Sequence, residues 1–207
     1  MKRSIVLAAL LAAAVLLAAG CSKVDRTGGA DKAGSASGGG KVALDGTPLT
    51  VAGVTVTPPA AWKNLGPTEM RAGSYAFGPV AGDRDSATVA VFFFGKAQGG
   101  TLEPNIDRWI GQMSLPNGGD AAKAAKRTDT TIDGMPAHLL QLAGTFSGGM
   151  TSMMGEQPAP RANYLLSAVV LEAPGGNVFF KLTGPEKTAE QMNRAFLAMV
   201  KAAKKAS

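Results

Sequence analysis

The run SATVAVFFFG, residues 86–95, constrains the fold more than any other stretch of this chain. Side chains alternate along a strand, so Val89, Val91 and Phe93 share one face while Phe92 and Phe94 share the other. A strand that is apolar on both faces must be covered on both, as in the interior of a layered domain. The sequence therefore predicts a buried sheet with further elements packed against each side.

Other runs of strand-forming residues are joined by short turns that are typical of β-hairpins. The segments NYLLSAVVLE and NVFFKLTG are separated by APGG, and two β segments between residues 121 and 144 meet at Asp133-Gly134. The segment PLTVAGVTVT, residues 48–57, is predicted to be one half-buried strand. Because hairpins join antiparallel neighbours, we expect an antiparallel sheet.

Two segments have the apolar spacing of helices that pack on a core. The first, TLEPNIDRWIGQM, is predicted to turn Asn105, Asp107 and Arg108 toward solvent, and the second covers residues 184–205. Their apolar stripes are Leu102, Ile106, Trp109, Ile110 and Met113, and Met192, Phe196, Met199 and Val200. The order of strands, helix, strands and helix predicts an α+β fold, an antiparallel sheet flanked by helices.

The only cysteine of the chain, Cys21, follows a short apolar segment. Two basic residues precede an unbroken apolar run over residues 5–19, which is shorter than the roughly 20 residues of a membrane-spanning helix. This arrangement predicts a lipoprotein signal peptide at residues 1–20, because the stretch LLAAGC resembles the lipobox of bacterial lipoproteins. The resemblance implies that Cys21 begins the mature chain and carries lipid. Ser22 after it implies the periplasmic face of the outer membrane.

A flexible tether is predicted after the lipidated cysteine, so that residues 21–40 link the membrane to the folded part. Residues 22–40 are mostly Gly, Ser, Ala and charged residues, with Val24 as the one larger apolar side chain. Such a segment spans on the order of 25 Å on average. Residues 41–207 suit a single α+β domain. With Cys21 lipidated, this domain has no thiol for a disulfide, a nucleophile or a metal site.

The residue types that commonly carry catalysis form no recognisable motif here. The single histidine, His138, has no second His or Cys at a metal-ligand spacing. The sequence GTFSGG around Ser147 lacks the glycine two residues before the serine that a nucleophile elbow needs. Asp83 and Asp85 begin like a Ca²⁺ loop, but the distal ligands are missing. We therefore predict no enzyme activity, no metal site and no cofactor; a hydrolase using Ser147 and His138 is the third alternative.

Two connecting segments are candidate contact sites. The segment FGKAQGG joins the aromatic strand to the first helix, whose N-terminus attracts anions; the alternative is a connection that uses glycine for its sharp turns. The segment 146–160 is a Gly- and Met-rich loop with an adaptable surface; the alternative is an excursion without a binding role. The candidate contact residues are Lys96, Gln98, Gly99 and Gly100 in the first segment and Met150, Met153 and Met154 in the second.

Several stretches resemble the PsbP-like superfamily. VTVTPPAAW is similar to its opening strand and Pro-x-x-Trp turn, IDGMPAHLLQLAG to its mid-chain hairpin, and NVFFKLTGP with FLAMVKAA to its closing strand and helix. The resemblance covers most of residues 41–203 and implies a central antiparallel sheet flanked by helices. Known members are mostly non-enzymatic, among them accessory subunits of photosystem II and a Ran-binding import factor. Nothing in this chain matches their ion-binding positions, so no photosystem role and no ion ligand is carried over.

These observations predict a membrane-tethered lipoprotein of the cell envelope with a non-enzymatic binding or accessory role. Its expected partners are the membrane, through the lipid on Cys21, and an envelope protein or ligand. The formal charge of +6 is modest and no basic stripe is interleaved with aromatic residues, which excludes nucleic acid as a partner. The alternative is a protein that binds a small anion at the Gly95–Gly100 turn.

Overall fold

The computed structural model describes residues 41–96, 98–148 and 159–206. The predicted signal peptide and tether, Cys21 and the three loop methionines lie outside these residues. The elements in chain order are β1 (Leu49–Val51), β2 (Val54–Val56), β3 (Lys63–Asn64), β4 (Gly73–Phe77), β5 (Ala87–Phe92), α1 (Leu102–Ile110), β6 (Met113–Ser114), α2 (Ala121–Ala124), β7 (Lys126–Ile132), β8 (Met135–Phe146), β9 (Arg161–Ala173), β10 (Gly176–Pro185), α3 (Glu186–Lys201) and β11 (Lys204–Lys205).

Eight of the described strands form one antiparallel sheet. Its order is β3-β4-β5-β10-β9-β8-β6, and β7 also pairs with β8. The long strands β8, β9 and β10 lie side by side. A two-residue turn joins β9 to β10, so that Ala173 pairs with Gly176. The α+β prediction, with helices flanking an antiparallel sheet, is confirmed.

The hairpin predicted at Asp133-Gly134 is also present. Both residues have positive φ angles, 50° and 74°, as a two-residue turn between twisted strands requires. Ile132 pairs with Met135 immediately outside the turn. Local turn chemistry was sufficient to place this hairpin.

The single strand predicted over residues 48–57 is wrong, since the structure divides it into the hairpin β1–β2. Ala52 and Gly53 take φ angles of 51° and 75°, which reverse the chain between Val51 and Val54. A hydrogen bond of 2.8 Å joins the hydroxyls of Thr50 and Thr55 across the hairpin. β11 pairs with β2 to make a separate three-stranded sheet.

The two faces of the large sheet carry separate apolar clusters. One face packs against α3 and the small sheet, with the predicted stripe Met192, Phe196, Met199 and Val200 buried there. The other face packs against α1, where Ile106 and Trp109 cover Val170 and Phe179. The prediction that β5 is covered on both faces is confirmed, because Val89 and Val91 belong to the first cluster and Phe92 and Phe94 pack on the second.

The first helix differs from its prediction at two positions. Asn105 was expected on the exposed side, yet it is only 4% exposed. Its side-chain amide turns back to the carbonyl oxygens that precede the helix, which a periodicity argument cannot detect. The helix ends at Ile110, so Met113 is buried from the short strand β6 rather than from the helix. Asp107 and Arg108 are exposed as predicted.

In the described part of the chain, no helix combines the length and the hydrophobicity that crossing a membrane requires.

Candidate functional site

The connector between β5 and α1 is held in place by Asn105. The Nδ2 atom of Asn105 donates to the carbonyl oxygens of Gly99, at 2.7 Å, and Thr101, at 2.9 Å. Its Oδ1 atom accepts from Arg108 Nη2 at 2.6 Å. These bonds satisfy carbonyl groups of the turn. The Thr101 side chain makes no capping hydrogen bond to the backbone N–H groups at the start of α1.

The predicted contact residues of this connector lie on the surface. Lys96, Gln98 and Gly100 are exposed, and Gln98 N donates to Gly95 O at 3.2 Å. Gly99 has a φ of 84°, and a Cβ there would stand 2.6 Å from the Phe94 ring. The glycine is therefore needed for local packing, which supports the structural alternative for this turn. The anion site at these residues stays a prediction.

His138 lies in a cluster of its own. Its Nδ1 atom is 2.8 Å from Asp129 Oδ1 and its Nε2 atom is 3.2 Å from Glu172 Oε1. Desolvation lowers the pKa of His138, but the hydrogen bonds and charges of Asp129 and Glu172 outweigh it, so its pKa is raised. Ser147 stands nine positions further along the same extended segment, roughly 30 Å away. The structure does not bring the proposed hydrolase pair together.

Asp83 and Asp85 serve different partners. Oδ2 of Asp83 accepts from the backbone N–H of Thr188 at 2.8 Å and from its hydroxyl at 2.6 Å, which lowers the Asp83 pKa. Asp83 thereby stabilises the first turn of α3. Asp85 Oδ2 accepts from the Tyr164 hydroxyl at 3.2 Å. Residues 41–96, 98–148 and 159–206 contain no group of three acidic or histidine side chains placed to hold a metal ion.

A polar patch occupies the sheet beyond α1, on the same face as that helix. The ring of Phe179 packs edge-on against Trp109, with 6.2 Å between centroids. Two and four residues further along β10, Lys181 and Thr183 therefore project from this same face. In register, Lys181 is opposite Ala90, and Thr183 is opposite Thr88. Ser74 of β4 is also opposite Ala90 of β5. We call the patch formed by Lys181, Thr183, Thr88 and Ser74 the Lys181 face.

Lys181 is the charged group at the centre of this face. Its ammonium donates a hydrogen bond to Gln112 Oε1 and lies 5.4 Å from the centroid of the Phe146 ring. Gln112 follows α1, and its own carbonyl accepts from the backbone N–H of Ser147 at 2.8 Å. Burial lowers the pKa of Lys181 to about 8, and the positive charges of Arg108 and Arg71 contribute to the same shift.

Aromatic rings extend the Lys181 face toward the end of β9. Phe146 and Tyr164 stack with their planes 6° apart and their centroids separated by 5.9 Å. Arg161 lies over the Tyr164 ring and donates to its hydroxyl at 3.3 Å. The Tyr164 hydroxyl in turn donates to Asp85. Thus Asp85, a carboxylate of the described residues at this edge, is engaged by Tyr164.

The cations of the Lys181 face have neutral partners. Arg71 lies over Phe92, 5.8 Å from its centroid, and its Nη1 atom is 3.5 Å from Ser74 Oγ. Arg108 donates to the Asn105 amide oxygen. None of the ion pairs formed among the described residues includes Lys181, Arg71 or Arg108. Three cations that form no ion pair within the described part of the chain are an arrangement suited to binding an anion.

Sequence reasoning missed the Lys181 face. The signal that could have found it is a lysine within the apolar strand NVFFKLTG, since a long cation there must reach solvent or find a partner. Lys181 is two residues after Phe179 and shares its face, on which the first helix packs. The predicted site residues and this face are separate features, apart from the predicted loop 146–160, whose first residue, Phe146, contacts Lys181.

No family model matches this chain, and no curated protein sequence matches it. Solved structures that are similar include the cyanobacterial PsbP protein CyanoP from Synechocystis sp. PCC 6803, with 15% identity, a TM-score of 0.46, and coverage of 83% of this chain and 97% of that one. PA94 from Pseudomonas aeruginosa, a protein of unknown function, has 14% identity and a TM-score of 0.42 over 75% of this chain and 93% of its own.

LpqN from Mycobacterium tuberculosis, described as involved in cell envelope biogenesis, is similar over 77% of this chain and 84% of its own, with 16% identity and a TM-score of 0.41. CyanoP bears the name of the superfamily that the sequence resembles. At these identities and scores, the similarities carry no statement about the activity or the partners of this chain.

Proposed function

We propose that this chain is a lipid-anchored accessory protein of the bacterial cell envelope, without enzyme activity, and that it binds its partner with the Lys181 face. Anchoring is supported by the apolar leader, the lipobox-like stretch and the single Cys21. The observation that carries the binding surface is the half-buried Lys181 ammonium, which rests on an amide oxygen and an aromatic ring without a carboxylate among the described residues.

A charge in this position costs stability in the free protein. Burying a charge is unfavourable unless an opposite charge compensates for it. A lysine with only structural duties at this position would be better replaced by an apolar residue, because Phe179, two residues before it on the same face of β10, is buried. Such a group is expected where a partner supplies the missing charge.

The absence of enzyme activity is proposed from the state of the candidate catalytic residues. Both ring nitrogens of His138 are engaged by carboxylates. Ser147 contributes its backbone N–H to Gln112, and its side chain lies far from His138 along the strand. A nucleophile needs a base within hydrogen-bond reach, and this pair does not provide one.

Site-specific photo-crosslinking in intact cells tests the proposed binding surface. A benzoylphenylalanine placed at Thr183, a half-buried position on the Lys181 face, should form adducts with an envelope component. The matched control carries the same residue at Gln191, an exposed position on α3, which packs on the opposite face of the sheet. Adducts from Thr183 that decrease when Lys181→Met is added would support the proposal. Equal adducts from both positions, or none from Thr183, would refute it.

A further inference from the structure

We propose that the Lys181 face binds a phosphate group, either of a soluble phosphate ester or of a phospholipid headgroup. This inference rests on the proposed function, because it names the chemistry that the same face recognises. It is carried by three features of the described residues: the charges, the hydroxyl groups and the small side chains around Lys181.

The charges favour a dianion. Lys181, Arg71 and Arg108 are close enough for both arginines to influence the Lys181 ammonium electrostatically. No carboxylate of the described residues forms an ion pair with any of them. A phosphate monoester carries a charge of about −1.5 to −2 at pH 7, so it compensates for more of this positive charge than a single carboxylate does. Arginine also presents planar donor pairs that match phosphate oxygens.

The hydroxyl groups supply neutral donors on the same face. Thr183 and Thr88 are half-buried and opposite each other. Ser74, in the row that contains Lys181, is only 3% exposed and accepts a hydrogen bond from Arg71, so it positions that cation. Hydroxyl groups donate to phosphate oxygens that the geometry of the three cations leaves free. The hydroxyl of Thr88 is only weakly engaged, at 3.5 Å from the carbonyl oxygen of Thr183.

The side chains beside Lys181 are small. Across the sheet, the row that contains Lys181 continues to Ala168 on β9 and to Ala90 on β5. The next row places Thr183 and Thr88 beside Ala76. Ala168 and Ala90 are covered in the free protein, at 0% and 8% exposed, so a ligand reaches this row by displacing the flexible ends of Lys181 and Arg71. A phosphate group is compact enough to take the place of these ends.

Isothermal titration of the full chain in phosphatidylcholine nanodiscs with phenyl phosphate tests the proposal. We expect saturable binding to the native chain. Lys181→Met should weaken it by about 10- to 100-fold, because a charge-assisted hydrogen bond is lost. Lys201→Met is the matched control: it removes one exposed lysine from α3, on the other side of the sheet, and should leave the affinity unchanged.

A second set of nanodiscs that contain phosphatidylglycerol distinguishes the source of the phosphate. If the headgroup occupies the face, phenyl phosphate should bind more weakly in these discs than in phosphatidylcholine discs. An unchanged affinity would assign the face to soluble phosphate esters. Either result supports phosphate recognition, provided that Lys181→Met weakens the binding of phenyl phosphate as expected.

Three results would overturn the inference. Binding that is equal in the native and Lys181→Met chains would show that phosphate attaches elsewhere, and no binding to any chain would exclude phosphate. Binding that appears only in a Glu156→Gln chain would mean that the single carboxylate between Phe146 and Arg161 in the sequence already compensates for Lys181. A native chain that binds no phenyl phosphate but forms Lys181-dependent Thr183 crosslinks would reject the ligand class and not the proposed function. A native chain that shows neither would reject the function.

Discussion

Replacing Lys181 with methionine is expected to stabilise the folded protein at about pH 7. The pKa of Lys181 falls from 10.5 to about 8 on folding, which corresponds to a cost of roughly 3 kcal/mol for the charged form. The substitution also loses the hydrogen bond to Gln112, worth about 1 kcal/mol, and the contact with the Phe146 ring, worth about 0.5–1 kcal/mol. A net gain of about 1–2 kcal/mol in the free energy of unfolding should remain.

The gain should depend on pH in a defined direction. Because the folded-state pKa lies below the unfolded one, the unfolded chain holds an extra proton between about pH 8 and pH 10.5, and the stability of the native protein rises with pH across this window. Below this window the amine is charged in both states and the full cost applies. The advantage of methionine is thus greatest near neutral pH and falls by roughly 3 kcal/mol across the window, so that the native chain becomes the more stable one by about pH 10.5.

Urea denaturation of the native, Lys181→Met and Lys201→Met chains across this pH range measures the effect. Lys201→Met controls for the change in net charge, since Lys201 is exposed. A Lys181→Met chain that is less stable than the native one at neutral pH, or a difference that does not change with pH, would show that the lysine is not an uncompensated charge.

Replacing Cys21 with alanine is expected to remove the protein from the membrane. The predicted anchor consists of acyl chains on this residue, and each buried CH₂ contributes about 0.8 kcal/mol to membrane binding, so two or three chains hold the protein permanently. Without the thiol no chain is attached. Intact mass and membrane fractionation should therefore show an acylated, membrane-bound native chain and an unacylated, released Cys21→Ala chain.

The neighbouring change Ser22→Ala is the control for this experiment, because it leaves the thiol in place. It should remain acylated and membrane-bound, although its sorting between membranes can change. A native chain that is found soluble and without acyl mass would mean that the lipobox resemblance is misleading, and the anchoring part of the proposed function would fall with it.

The parts of the fold that local sequence determines were predictable. The Asp133-Gly134 turn and the helix stripe around Phe196 depend on residues that are neighbours in sequence, and both are present. The β1–β2 hairpin was missed because Ala52 takes a positive φ angle that alanine rarely adopts. Asn105 was misplaced because its burial depends on hydrogen bonds to the connector, and these override the periodicity of the helix.

The Lys181 face could not be predicted from local patterns. Alternation along β10 places Lys181 on the face of Phe179, but it does not reveal what covers that face. That depends on the lateral order of the strands, with β10 between β5 and β9, and on the end of α1 at Ile110. Contacts between residues far apart in sequence, such as Gln112 with Lys181, arise only after the sheet has formed.

Titration of the lysine side chains by NMR, in the native and Lys181→Met chains, tests most directly whether Lys181 is an uncompensated cation prepared for an anionic partner. The account predicts one lysine resonance that titrates with a pKa of about 8, is absent from the Lys181→Met chain, and shifts to a higher pKa when phenyl phosphate is added. If no resonance lost on that substitution titrates below the ordinary lysine range, a negative charge already accompanies Lys181, and the proposed binding face is contradicted.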